Sequence, residues 1–304
     1  MATELVSIAT PRTRGLLWTG WVVAGLLLLP VAGGGWYLAA VGGSAALLAL
    51  LPGAVPHRER TPDRADLAVI ALLYVAVVAL ERVAFVGFGT DRVAGLFLFF
   101  AAALLVGVAG PVVYTVAVRR RGLADLGLRR DDLRSPLGFA LLFGGVQFAL
   151  TLWGYDLPAP VDWVPLLVMS LVVGVFESIF FRGFVQTRLE AQLGTPAGVG
   201  GAAVLYGAYH VGYGMGGEEL LFLTGLGVVY AVAFALARHL VVLWPLLTPL
   251  GSFYANLEAG DIDLPWASIL GFVDVLALMA VALWLTARYA RRAASRQEAP
   301  ADSR

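Results

Sequence analysis

The sequence predicts an all-α integral membrane protein with about ten transmembrane helices and both termini on the cytoplasmic side. Three observations carry that expectation. Of 304 residues, 60% are hydrophobic and only 14% charged. The apolar residues fall in long, nearly continuous runs, whereas the apolar stretches of a soluble domain are short and periodic. The arginines of the connecting loops alternate from one side of the bilayer to the other.

Runs of bilayer-crossing length lie at about 16–33, 35–54, 66–88, 93–118, 136–154, 163–187, 196–215, 219–237, 240–257 and 266–287. The first two are joined by Gly33-Gly34-Gly35 and stand close together. Arg12 and Arg14 precede the first run, but no small-residue cleavage site ends it, so it is read as a span and not as a signal peptide. With the N-terminus inside, the even-numbered connections should be rich in arginine. The second carries Arg58, Arg60 and Arg64, and the fourth Arg119, Arg120, Arg121, Arg129, Arg130 and Arg134. The sixth holds Arg188, the eighth Arg238, and the tail Arg288, Arg291, Arg292 and Arg296. The opposite side carries mainly acids, Asp91, Asp156, Asp162, Glu218, Glu219, Glu258, Asp261 and Asp263, with Arg92 as the basic exception. A wrong helix count would scramble this alternation.

The expected organisation is a four-helix membrane region over 1–118, an arginine-rich cytoplasmic loop over 119–135, a second helical region over 136–290 and a disordered polar tail over 291–304. A formal net charge of zero and the lack of a basic stripe give no nucleic-acid partner. The absence of cysteine excludes disulfides, iron–sulfur clusters and thiolate zinc sites. All 21 basic residues are arginine, which is read as a compositional bias and not as chemistry.

Charged groups at bilayer depth are costly and therefore candidate functional residues. The sixth run contains Glu177 and Arg182, and the seventh His210. Glu177 lies eleven residues before Arg188, roughly 16 Å from the inner face, and His210 roughly 21 Å from the same face. Ser252 and Asn256 come out at roughly 18 and 24 Å. This layer suits hydrolysis. A glutamate is a general base for water, an imidazole can hold that water, shuttle its proton or bind a metal, and side-chain donors can stabilise an oxyanion.

Plainer readings stand beside these. Glu177 and Arg182 are five residues apart, about 140° apart on an α-helix, so each would find an interhelical partner instead of the other. His210 among small residues can equally serve helix packing. Glu81, Arg82 and Asp274 read as structural or interfacial. Ala203 and Gly207 give a small-xxx-small packing face. The glycine cluster at 212–217 lacks the Lys-Ser/Thr of a phosphate loop and reads as a turn, and no HExxH motif is present.

These residues resemble the CPBP family of intramembrane endopeptidases, the CAAX-processing, bacteriocin-processing and Abi-type proteins. The family's first motif, EExxFRG, is matched by Glu177-Ser178-Ile179-Phe180-Phe181-Arg182-Gly183, with Ser178 replacing the second glutamate. Its second, FxxxH, is matched by Tyr206-Gly207-Ala208-Tyr209-His210. Arg121-Gly122-Leu123-Ala124-Asp125-Leu126-Gly127-Leu128-Arg129 is similar to the amphipathic lead-in of the family's core. The third motif, HxxxN after an LWP stretch, has Leu243-Trp244-Pro245 but no following histidine. Ser252 and Asn256 take its two places if Asn256 is its last residue; Leu250 and Tyr254 take them if the spacing from Trp244 is kept.

The resemblance covers about 120–260 and implies a protease core built from the last six helices. It implies Glu177 as base, His210 as its partner, and Ser252 with Asn256, or Thr248, as oxyanion donors. Arg182, Ser178 and Tyr206 would orient the site. A divalent metal such as zinc would fall to His210 and Glu177, although one carboxylate and one histidine are too few ligands for a tight site. The expected substrate is a peptide or protein with a membrane-associated, in some members lipidated, segment, cut near the cytoplasmic face. Two other readings come from different classes. One is an inactive family member serving as a membrane scaffold or immunity-type binding protein, which the missing histidine favours. The other is a small-solute transporter, which lacks the paired broken helices expected of one.

Overall fold

The computed structural model describes residues 11–28, 34–51, 53–89, 92–129, 133–134, 136–138, 140–141, 144, 159–160, 163–259 and 267–298. The side chains at 254–271 and from 293 onward lie outside the description, as do a few others. Among the described residues the protein is helical without strands. The helices are α1 (Pro11–Leu28), α2 (Gly34–Leu50), α3 (Arg64–Phe88), α4 (Val93–Val118) and α5, which runs through Trp163–Glu177, Ser178–Gln186 and Thr187–Leu193. They continue with α6 (Thr195–Tyr209), α7 (Gly217–Ala237), α8 (Leu247–Ala259) and α9 (Ala267–Glu298).

Five helical stretches are long and apolar enough to cross a membrane: Arg64–Phe88, Val93–Val118, Leu166–Leu193, Gly217–Ala237 and Phe272–Arg292. Thr13–Leu28, Ala40–Leu50 and Leu240–Phe253 are shorter apolar helices. The protein is thus a multi-pass membrane protein. The expected run at 136–154 lies mostly outside the described residues. The last helix continues to Glu298, so the backbone of 291–298 is helical where an irregular tail was expected. Ala, Arg, Gln and Glu dominate that stretch, and all favour helix. Large apolar side chains point outward on several helices: Leu72 and Val75 on α3, Leu221 on α7, Leu278, Val281 and Leu285 on α9. Such faces belong against lipid.

Two compact units interleave along the chain. The first comprises 1–70, 185–211 and 215–238. Its core joins Trp18, Ala45, Ala49, Val55, Val199, Ala231, Val232 and Ala235. Small residues allow this packing. A Cβ on Gly42 would stand 2.9 Å from the carbonyl oxygen of Gly225, which brings α2 and α7 into near-backbone contact. Polar groups from three arginine-bearing connections meet in this unit. Arg238 forms an ion pair with Glu190 and donates to the Pro56 carbonyl at 2.8 Å. The Arg58 amide donates to the Thr195 hydroxyl at 2.9 Å, and the Thr61 amide to the Ala191 carbonyl at 2.9 Å. Between α5 and α6 sits Gly194, at φ +91° and against the Arg60 guanidinium, so both its backbone and its surroundings require glycine. The helix after it opens on Thr195-Pro196, where a missing N–H costs nothing.

The second unit comprises 71–184, 212–214 and 239–304. Its core is aromatic: Phe176 stacks on Phe180 at 5.7 Å and Phe180 on Phe184 at 6.4 Å, with Phe181 edge-on to Phe180. Gly107 of α4 leaves the space into which the Phe176 ring fits. The short 3-10 turn Leu123–Leu126 is fastened to the segment before α8. The Leu240 amide donates to the Gly127 carbonyl at 3.0 Å, and His239 Nε2 donates to the Arg129 carbonyl at 3.1 Å.

Candidate active site

The first-motif residues lie in the second unit, on α5. Glu177 ends the α-helical part, and Ser178–Gln186 is π-helical. A π turn bonds i to i+5, so residues five apart stack above one another. This corrects the expectation that Glu177 and Arg182 diverge by about 140°: the wider turn brings position 182 back toward the face of 177. Glu177, Ser178 and Arg182 are all buried, and Arg182 is among the largest fully buried side chains.

Ser178 faces α8. Its hydroxyl lies 3.1 Å from that of Thr248, and the Thr248 hydroxyl donates to the Gly174 carbonyl at 3.1 Å. A carbonyl can only accept, so the Thr248 proton goes to Gly174 and Ser178 donates to Thr248. Thr248 therefore has no proton to offer an oxyanion in this arrangement. Ser252, four residues further along α8 and half-buried, keeps that possibility. Asn256 lies on the same helix, but its side chain is outside the described residues.

Tyr206 and His210 lie in the first unit. His210 opens the 3-10 turn His210–Tyr213 that follows α6, and it is buried. Its Nδ1 donates to the Tyr206 carbonyl at 2.9 Å. In the neutral ring the proton thus sits on Nδ1, and Nε2 carries the lone pair. The rings of Tyr206 and Tyr209 enclose the imidazole at centroid distances of 5.2 and 4.0 Å. Gly207 on the opposite face packs against α7, where a Cβ would strike the Thr224 hydroxyl. Glu177 and His210 belong to different compact units, and each is described within its own.

One residue near Glu177 had been read as merely structural. Glu81, on α3, is fully buried and interacts electrostatically with Glu177. Tyr213 donates its phenolic hydroxyl to Glu81 Oε1 at 3.3 Å. Glu81 Oε2 has no hydrogen-bond partner among the described residues. The available signal was a carboxylate inside an apolar helix 25 residues long.

Among the described residues no group of three or more His, Cys, Asp or Glu side chains is arranged to hold a metal ion. The donor set therefore does not fit the expected zinc site on His210 and Glu177, and the metalloprotease reading has no support.

A multi-span helical protein with a buried glutamate on a widened turn of one helix defines a class of membrane proteins with a polar centre inside the bilayer. The family model of Rce1-like type II CAAX prenyl endopeptidases matches residues 158–246. Over that segment the chain is a member of the CAAX-protease (CPBP) family, as its motifs suggested. The matched segment takes in Glu177, Arg182 and His210 and ends before Ser252 and Asn256. No curated protein and no solved structure matches the chain.

Proposed function

We propose that the protein is an intramembrane endopeptidase that hydrolyses a peptide bond near the cytoplasmic face of the membrane. The observation that carries the reading is the buried Glu177 at the α-to-π junction of α5, inside the segment matched by the family. In this reading Glu177 takes a proton from water, and the water oxygen attacks the scissile carbonyl carbon. The resulting oxyanion accepts hydrogen bonds from Ser252 and Asn256. When the C–N bond breaks, the proton held by Glu177 passes to the leaving amine. His210 holds the same water through Nε2, a role favoured by the fixed proton on Nδ1. Arg182 orients the site through the π turn. The substrate is a peptide or protein with a membrane-associated segment, prenylated CAAX proteins being one such class.

The same reading takes ten spans with N- and C-termini inside. What supports it is the meeting of the second, sixth and eighth connections through Arg58, Thr195, Arg238 and Glu190. All three are arginine-bearing and are assigned to one side.

A second reading, an inactive scaffold or immunity-type binding protein, is favoured by the absence of a histidine after Trp244-Pro245. The two are separated by cleavage of a quenched fluorescent peptide library in lipid nanodiscs, comparing wild type with Glu177→Gln, with and without chelator. Cleavage by wild type that is lost in the variant and indifferent to chelator is expected. Cleavage retained by Glu177→Gln would remove Glu177 from the centre of the mechanism. Silence from a folded wild type, unrelieved by histidine at 250 or 252, would favour the scaffold.

A further inference from the structure

We propose that Glu81 is the second carboxylate of the Glu177 centre, the two side chains together accepting the hydrogen bonds of one water. The inference rests on the protease reading and adds a residue outside the segment that the family model matches.

The geometry is specific. Glu81 comes from α3, and none of its side chain reaches solvent. Its two oxygens have different surroundings: Oε1 accepts from Tyr213, whereas Oε2 has no hydrogen-bond partner among the described residues. A buried acceptor left in that state costs free energy, and a charge costs more, so a residue placed only to join helices would be poorly chosen. Glu177 is in electrostatic range, and the two acids repel each other unless something lies between them that both can accept from. Water meets that need, since it offers two protons and needs two or more polar partners when buried. Tyr74, whose ring stands edge-on to Phe181, also feels the Glu81 charge but is no substitute for such a donor.

The position is enforced from the turn after α6. A Cβ on Gly212 would lie 2.9 Å from the Glu81 Cβ and 3.1 Å from Oε2, so glycine there lets the carboxylate lie flat against the backbone. Tyr213 follows directly and holds the other oxygen. Ser178, which stands where the family motif has its second glutamate, points its hydroxyl to Thr248 and does not supply a carboxylate. Glu81 would provide the missing second acid from a different helix. During hydrolysis no covalent bond to Glu81 forms: one water proton goes to Glu177, while Oε2 holds the other O–H and aims the oxygen.

The test uses the full chain in nanodiscs. Glu81→Gln keeps the volume and the acceptor for Tyr213 while removing the charge. It should lower kcat about tenfold or more with KM unchanged, and Gly212→Ala should do the same by displacing the side chain. The thermal transition gives a readout independent of activity. Glu81→Gln and Glu177→Gln should each raise Tm by about 2–4 °C, and the double variant should gain no more than either alone. A Glu81→Gln protein with full kcat, or with a lowered Tm, would show ordinary helix packing and overturn the proposal. If wild type cleaves nothing, the protease reading fails by itself. The Tm cycle then still decides whether the two acids share a site, additive gains overturning it.

Discussion

Ser178 and Thr248 join α5 to α8 through a hydroxyl pair at 3.1 Å, and the pair ends on the Gly174 carbonyl. Hydrogen bonds between membrane helices contribute on average roughly 0.6 kcal/mol and at most about 1.7. Ser178→Ala should therefore cost little, while Thr248→Val, which orphans both a hydroxyl and a carbonyl, should cost about 1–2 kcal/mol. Unfolding in mixed micelles measures both, and the double variant should be no worse than Thr248→Val. Ser178→Glu, which restores the motif, should destabilise more than either, because it aims a carboxylate at an acceptor whose proton is committed elsewhere.

The contact between α6 and α7 depends on position 207. Gly207→Ala would drive a methyl into Thr224 and toward the Leu220 carbonyl, 2.7 Å away. Overpacking of this kind costs about 1–3 kcal/mol. Because His210 follows three residues later, activity should fall together with Tm. Thr224→Ala in the same background should recover part of both, since it removes the colliding hydroxyl. Failure of that rescue would mean that the helices meet differently.

Glu190 is fully buried, and its ion-pair partner Arg238 is only partly so. Breaking a buried pair by deleting one member costs about 3–5 kcal/mol, because the other charge is left uncompensated. Arg238→Ala should thus be severely destabilising. Glu190→Gln, which keeps an acceptor for Arg238 and for Gln186 at 2.9 Å, should be much milder. Comparing the expression and thermal transitions of the two variants tests this order.

The lack of cysteine makes the topology directly measurable. Gly122 and Gly217 have no neighbour within 4 Å of a built Cβ, so each accepts a cysteine. Gly122→Cys should react with a membrane-impermeant maleimide only from the cytoplasmic side, and Gly217→Cys only from outside. Labelling of both from one side would sink the ten-span, N-inside arrangement.

Much of the helical framework was legible because it depends on hydropathy alone. The bounds 93–118 read from the sequence coincide with α4, and 219–237 falls within α7. Glu177 and His210 were legible as polar residues in apolar surroundings. Two features were not. The π turn from Ser178 is invisible to an argument built on 3.6 residues per turn, and it reverses the inferred relation of Glu177 to Arg182. Glu81 was discounted because counting residues from the nearest loop gives depth but not burial. Its burial arises from Gly212 and Tyr213, more than a hundred residues away. Thr248 looked like an oxyanion donor only until its proton could be traced to Gly174.

The tie between His210 Nδ1 and the Tyr206 carbonyl also selects the company that His210 can keep. A ring anchored at one nitrogen cannot flip to exchange its two faces, so the neutral imidazole offers the same lone pair at every encounter. Whatever group meets Nε2 must bring a hydrogen with it. A bare carboxylate is unsuited to that place, whereas a water, a hydroxyl or a protonated acid is welcome. Proton traffic through this residue therefore has a direction built in: the ring receives first and gives back only what it has received.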